Sequence, residues 1–308
     1  MEIMKHKDFL ALRDWSASDL MELLLLARLV KAEPAKYSRQ LDGKALALIM
    51  EKPSLRTRVS FEVGMHQLGG FTVHLALNEI SLGKREPVSD VARNLERMVQ
   101  GIMIRTFGHD IVEELAEHSS IPVINGLTDF AHPCQAMADY LTILETRGNI
   151  KGVKIAYIGD GNNVAHSLIL GAARFGAHLA VATPAGYEPD AEVTRQAIAD
   201  AGETGGRIEI LQDPAEAAAN ADVLYTDVWT SMGQEDENEK RQRDFEGYQV
   251  NSGMVRLAKP DYVFMHCLPA HRGEEVAASV IDSDHSIVFQ QAENRLHAQK
   301  AVLLALMS

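Results

Sequence analysis

Two doubly wound α/β domains with mainly parallel sheets, linked by interdomain helices, are what this sequence predicts. Three observations lead there. Short apolar runs alternate with stretches of helical period along most of the chain, the pattern of parallel strands joined through helices. The alternation pauses at a long helical stretch ending near Gly148 and starts afresh at Lys154. The 308 residues suffice for two cores of ordinary size.

Ser16 or Ser18 caps a first helix that carries Leu20, Leu23, Leu24 and Ala27 at helical spacing. Lys44–Met50 reads as a short buried strand, and a helix opens at Ser54. A strand at Phe71–Leu77 and a helix after Pro87 follow. Gly101–Arg105 and Ile121–Asn125 are further strands, with a helix near Ile111–His118 between them. The long helix is Pro133–Thr146. In the second half, strands are expected at Lys154–Ile158, His178–Ala182, Arg207–Leu211, Val223–Thr226 and Tyr262–His266. Glu293–Met307 has the pattern of a helix that packs back on the first domain. The domains are therefore expected at 1–147 and 148–292, with 293–308 returning to the first.

Composition narrows the function. Hydrophobic residues make up 46% and charged residues 24%, a globular balance. With 30 Lys and Arg against 43 Asp and Glu, the net charge is −13. Such a chain does not attract nucleic acid or an anionic membrane in bulk, so an anionic substrate needs a local cluster of cations and amides. Cys134 and Cys267 are too few for a disulfide framework. Met1 to Trp15 has no signal-peptide pattern, and Leu23 to Leu26 is far too short to span a bilayer. A cytoplasmic protein is expected.

Ligands of doubly wound sheets bind beyond the carboxyl ends of the strands, so the residues just after strands matter most. Lys52-Pro-Ser-Leu-Arg-Thr-Arg58 follows one strand and opens a helix. Ser54 at its cap, the first amides, Arg56 and Thr57 can hold an anion. An ordinary capped helix with solvated arginines fits the residues equally well. Arg105 ends a strand, and His132-Pro-Cys-Gln135 opens another helix with groups that can donate to a carbonyl oxygen. Gly159-Asp-Gly-Asn-Asn163 lacks the third glycine of a dinucleotide fingerprint, and no acid stands about 20 residues on. A nicotinamide cofactor, and with it a dehydrogenase, is disfavoured. Asp227-Val-Trp-Thr-Ser-Met-Gly233 offers a carboxylate for an amine, with a plain turn acid as the alternative. His266-Cys-Leu-Pro-Ala270 ends the next strand. Zinc on His132, Cys134, His266 and Cys267 is rejected, because adjacent strand residues point to opposite faces and no Cys-x-x-Cys occurs. No cofactor and no metal are expected.

In this order the six segments resemble the aspartate/ornithine transcarbamylase family, and the resemblance spans Phe9 to Leu306. Asp227, Ser231-Met232-Gly233 and His266-Cys267-Leu268-Pro269 are similar to the branch whose acceptor is ornithine. The resemblance implies that Ser54, Leu55, Arg56 and Thr57 hold the phosphate of carbamoyl phosphate. It implies that Arg105, His132, Pro133, Cys134 and Gln135 meet the carbamoyl end, with Cys267, Leu268 and Arg295 completing that site. Asn163, Asp227, Ser231 and Met232 would hold ornithine, and Arg56, Arg105, His132 and Cys267 would carry the catalysis. The implied reaction is direct acyl transfer to the side-chain amine of ornithine, giving citrulline and phosphate. The implied assembly is a homotrimer or a multiple of trimers, with active sites between subunits. Two positions depart from the family pattern: Leu55, where Thr is frequent, and Ser81, where Gln is frequent. The resemblance implies that Ser81 binds carbamoyl phosphate from a loop reaching a neighbouring subunit's site, with Lys84 or Arg85 supplying charge. The densely charged stretch 234–248 reads as a solvated loop or helix, and its place beside Ser231–Gly233 suggests a lid. Other amine acceptors, or a non-catalytic relative, are the remaining alternatives.

Overall fold

The computed structural model describes residues 7–76, 82–83 and 85–308. Ser81 and Lys84 lie outside the described residues. The chain forms two compact units, one running to Leu141 and joined by Glu293–Ser308, the other Thr142–Ala292. The division falls within the helix Pro133–Arg147, not at its end, because the end of that helix is tied to the second unit. There Arg147 donates to the carbonyl oxygens of Asp222 and Asp261, at 2.7 and 2.5 Å.

The first unit holds a four-stranded sheet of order β2-β1-β3-β4, parallel throughout. Its strands are β1 (Ala45–Met50), β2 (Phe71–Ala76), β3 (Gly101–Arg105) and β4 (Val123–Leu127). β3 and β4 are buried along their length, as expected for strands covered on both faces. β2 lies at the edge and exposes Phe71 and Val73. β4 begins two residues later than the sequence suggests, since Pro122 has no N–H to donate to the ladder. It also runs past Asn125. The register shifts between Ile104 and Arg105, so Gly126 sits in a bulge inside the strand. A Cβ on Gly126 would lie 2.6 Å from the Met103 sulfur.

The helix Leu55–Gln67 follows β1, and Ser54 caps it by accepting from the Thr57 amide at 3.2 Å. Ser16 caps the helix Ala17–Ala32 in the same way. The last helix starts at Val288 and ends at Met307. It packs on Leu55–Gln67, where a Cβ on Gly64 would come within 3.3 Å of Lys300 Cγ.

The second unit holds a five-stranded parallel sheet of order β7-β6-β5-β8-β9. Its strands are β5 (Lys154–Ile158), β6 (His178–Ala182), β7 (Arg207–Leu211), β8 (Val223–Thr226) and β9 (Val263–His266). Asn162 caps the helix Asn163–Phe175, which ends on Gly176 at φ 74°, a conformation glycine adopts without cost. The core joins β5, β6, β8 and β9 residues such as Ile158, Ala182, Leu224 and Phe264 to Trp229, Phe245 and Tyr248. Among the described residues no helix is long and apolar enough to cross a membrane.

The strand orders fix where ligands can bind. In the first sheet the chain leaves β1 toward β2 and then crosses to β3 on the other side. In the second it leaves β5 toward β6 and later crosses to β8. Each sheet therefore has a switch point, between β1 and β3 and between β5 and β8, where the flanking loops diverge and leave a crevice.

Candidate active site

In the first unit the switch point gathers cations. The turn after β1 brings Ser54–Thr57, β3 ends on Arg105, and the loop after β4 brings His132 to the start of the helix Pro133–Arg147. Arg105 is 5% exposed, and its Nε donates to the Lys52 carbonyl at 3.2 Å. Arg295 comes from the last helix and is 2% exposed. Its two terminal nitrogens donate to Gln135 Oε1 at 2.7 Å and Thr57 Oγ1 at 3.1 Å. Gln135 in turn donates to Asp139 Oδ1 at 2.8 Å, so both ends of its amide are fixed. Lys52 forms an ion pair with Asp129 and lies over the Phe107 ring.

Two consequences follow for chemistry. The Thr57 oxygen accepts from Arg295 and lies 3.2 Å from the Ser54 hydroxyl, which can donate to it. With both acceptor positions used, its own hydrogen is left to donate elsewhere. His132 is buried, and burial together with the charges of Arg295, Arg105 and Arg56 holds its imidazole well below the ordinary range. It is therefore neutral, able to donate one hydrogen bond, and surrounded by three guanidinium groups. The sequence left its charge state open.

Of the other expected residues in this unit, Leu55 is 74% exposed and Arg56 is half-buried. Only the backbone of Leu55 is suited to an anion at the helix start. Cys134 is buried and points back to the Asn125 carbonyl at 3.4 Å. Burial pushes its thiol up to about 12, so it stays protonated and belongs to the scaffold.

In the second unit the switch point presents a carboxylate. Asp227 follows β8 and is 6% exposed. Its Oδ2 accepts from the Asn162 side-chain amide at 2.9 Å. Its Oδ1 accepts from the Val228 amide and the Cys267 thiol, both at 2.8 Å. Asn162 also accepts from the amides of Val164 and Ala165, so the helix cap and the carboxylate are one construction. Asn163 is the first residue of that helix and is half-buried. Ser231 is half-buried and Met232 is 42% exposed on the loop beyond Asp227.

The reason for separating His266 from Cys267 does not hold. The strand ends at His266 and Leu268 takes φ 58°, so the chain leaves the pleat. Ligand-type atoms of Asp227, His266 and Cys267 come within 4.8 Å of one another. Yet His266 Nδ1 accepts from the Leu268 amide at 2.8 Å, and Nε2 faces Glu275 at 3.1 Å. Both ring nitrogens are engaged, so the histidine has no lone pair to offer an ion.

The charged stretch 234–248 is more tightly anchored than its composition suggests. A short 3-10 turn, Glu235–Glu237, leads into the helix Asn238–Asp244, followed by buried Phe245 and Tyr248. Phe245 stacks on Trp229 with ring centroids 5.5 Å apart. Arg241 is buried and its NH1 donates to Asp160 Oδ2 and the Trp229 carbonyl, both at 2.9 Å, while Nε reaches Glu237 at 2.9 Å. Burial raises the Asp160 carboxyl to about 6 despite the Arg241 charge.

Sequence reasoning missed Asn162, Asp139, Asp160, Arg241 and Glu275. Only Asn162 carried a local signal, as an Asn directly before a helix. Asp160 and Arg241 pair across 81 residues, whereas Asp139 stands four residues from Gln135 and Glu275 nine from His266 with no motif to mark either.

Comparisons with known proteins agree with this division. The model of the aspartate/ornithine carbamoyltransferase carbamoyl-P binding domain matches residues 7–145, and that of the Asp/Orn binding domain matches 151–306. A relative from Thermococcus kodakarensis, named ornithine carbamoyltransferase, is 55% identical over 98% of this chain and 96% of its own. One from Anoxybacillus flavithermus with the same name is 56% identical over 99% and 98%. The solved structure of ornithine carbamoyltransferase from Pyrococcus furiosus is similar with a TM-score of 0.95 and 54% identity, covering 98% of this chain and 97% of that one.

Proposed function

The chain belongs to the aspartate/ornithine carbamoyltransferase family, and from that premise we propose that it transfers the carbamoyl group of carbamoyl phosphate to the side-chain amine of L-ornithine, giving L-citrulline and phosphate. The observation that carries this reading is the pair of switch points, one lined with buried guanidinium groups and the other with a held carboxylate. Ser54, the amides of Leu55 and Arg56, and the Arg56 side chain bind phosphate at the helix start, where its charge is best stabilised as it leaves. Arg105, neutral His132 and the Thr57 hydroxyl donate to the carbamoyl oxygen as it gains negative charge. Gln135 and Arg295 position that end. Asn163, Asp227, Ser231 and Met232 take ornithine, with Asp227 pairing with its α-ammonium.

The acceptor amine has an ordinary pKa of about 10.4, so it must lose a proton before it attacks. A cationic, partly dry environment favours the neutral amine. Cys267, beside Asp227, is well placed to touch the same substrate, and Leu268 follows it. No covalent enzyme intermediate is needed, because positioning two bound substrates supplies much of the rate.

The same site serves synthesis and phosphorolysis of citrulline, and one relative from Pyrococcus furiosus is named as the anabolic enzyme. We assign this chain to arginine biosynthesis in the cytoplasm, as a homotrimer or a multiple of trimers. Exposed Val59 and Val63, one turn apart on the helix Leu55–Gln67, and Phe71 and Val73 on the edge strand support contacts with further copies.

The test is direct. Purified protein given carbamoyl phosphate with ornithine, putrescine, lysine, N-acetylornithine or aspartate should form ureido product with ornithine far above the rest. Preference for another amine would overturn the role of Asp227, and no product at all would leave a non-catalytic relative.

A further inference from the structure

The first unit carries a second cationic site that the reaction does not use. A cavity of about 430 Å³ is lined by the basic side chains Lys31, His297 and Lys300, together with Ser38 and Gln67. Its apolar wall is Pro34, Ala35 and Leu296. No carboxylate lines it, and none of these residues belongs to the candidate active site.

Lys300 is the unusual member. It is 1% exposed, and its ammonium donates to a single neutral acceptor, Gln67 Oε1, at 3.0 Å. Among the described residues no carboxylate lies within 4 Å of it. An ammonium carries three donors, and a buried cation without a counter-charge is costly. The stem is seated on purpose-made ground: Gly64 leaves the space that Lys300 Cγ fills. Lys31 donates to Asn294 Oδ1 at 2.8 Å and lies 3.6 Å from Glu293. Glu293 also faces His297 at 3.4 Å, but it is 55% exposed and outside the lining. It offsets at most one of the two ammonium charges. The field is felt at His297, whose imidazole is held below its ordinary range by burial and by Lys31 and Lys300.

We propose that this cavity binds a small phosphate-bearing anion, inorganic phosphate or a phosphomonoester. Its oxygens take the unused Lys300 donors and the Lys31 ammonium. Any carbon body lies along Pro34, Ala35 and Leu296. The ligand supplies the counter-charge that the protein withholds from Lys300. The cavity is formed in part by the helix that carries Arg295, so occupancy bears on a helix that also serves the proposed active site.

The experiment separates this site from the phosphate site of the reaction by working in an Arg56→Ala background. Inorganic phosphate and phenyl phosphate are titrated separately into the Arg56→Ala protein, with binding read by calorimetry and by the shift in Tm. Saturable binding that persists there, and weakens at least about tenfold on adding Lys300→Met, is the expected result. Tighter binding of phenyl phosphate would identify a phosphomonoester as the better ligand, and equal binding would identify phosphate itself. Because Lys300 is buried, Ala35→Glu provides an independent test, setting a carboxylate at the exposed wall without touching the core. It should abolish the same binding. Loss of all binding with Arg56→Ala alone overturns the proposal, and so does binding that survives both Lys300→Met and Ala35→Glu.

Discussion

The cationic and the carboxylate halves of the molecule occupy equivalent places on two doubly wound sheets, yet they are held in different ways. In the first unit Thr57, Arg105, His132, Gln135 and Arg295 are all at most 5% exposed, and they hang on one strand end and three helices. The neutral oxygens of Thr57 and Gln135 accept from Arg295 and set its direction. Of the expected ornithine-side residues in the second unit, only Asp227, at 6% exposed, approaches that burial. Ser231 and Met232 sit on a loop that owes its order to the buried Arg241. On the proposed reading, a phosphate-bearing ligand is met by a field built before it arrives, whereas an amine is met by one fixed carboxylate and a tethered loop. Mutations should therefore separate the two halves cleanly.

Arg105→Met gives the largest expected effect. Removing a donor aimed at developing negative charge costs on the order of 10²–10³ in kcat. Calorimetry should show ornithine binding to the free variant unchanged. The substitution also removes the donor to the buried Lys52 carbonyl, so stability should fall by about 1–3 kcal/mol, far less than would unfold the protein under assay conditions. Unfolding that parallels the loss of activity would mean that Arg105 acts as scaffold, and the contrast between the halves would fail.

Asp227→Asn comes next. The variant keeps the shape and loses the charge, so ornithine KM should rise on the order of 30-fold or more, while carbamoyl phosphate binding stays within about twofold. Equal losses for both substrates would break the separation.

Arg241→Met sharpens the comparison by attacking the tether alone. Ornithine KM should rise roughly tenfold with kcat little changed, because the Trp229 carbonyl and the following residues lose their anchor. Stability is the second readout, with a loss of about 3 kcal/mol where the pair is fully formed. Asp160, raised to about 6, is ionised in the folded protein only above that pH. Its raised value means the folded state binds protons more readily than the unfolded chain, so this group's own contribution falls as pH rises from about 4 to 6. The arginine partner counters that fall. The stability gap between wild type and Arg241→Met should therefore be largest above pH 7 and shrink below pH 5. A gap independent of pH would detach Arg241 from Asp160.

The same division governs what the sequence could disclose. Strands buried on both faces are nearly continuous apolar runs, and β3, β5, β6 and β8 lie at the ends the sequence assigns them, as does the alternating edge strand β7. β4 escaped because a bulge at Gly126 reads as a strand end. Ser54, Arg56, Arg105 and His132 drew attention because they stand at or beyond strand ends, although position alone left an ordinary capped helix and solvated arginines equally open. Arg241 was hidden among eight charged neighbours in 234–248, and only the fold shows which one is buried against Asp160. Asp139 and Glu275 escaped for the same reason, since each serves by orienting Gln135 or His266. The adjacency rule that set His266 apart from Cys267 assumed a pleat that ends one residue too soon.

Leu55→Thr gives the smallest expected effect. Leu55 is the first residue of the helix, and its side chain is 74% exposed, so burial contributes almost nothing to its place. If the amide is what meets the phosphate, exchanging the side chain should alter carbamoyl phosphate KM by less than about threefold. Stability should move by no more than about 0.5 kcal/mol, as for an ordinary surface position. A gain of tenfold in affinity would show that a hydroxyl there reaches the ligand, and that this chain binds its phosphate with one contact fewer than a Thr-bearing relative. A fall in oligomer size with unchanged KM in the assembled fraction would instead place the exposed leucine against another copy of the chain. Either result would move Leu55 out of the rigid field of the first unit, whose residues are defined by burial, and into the class of the loop residues Ser231 and Met232.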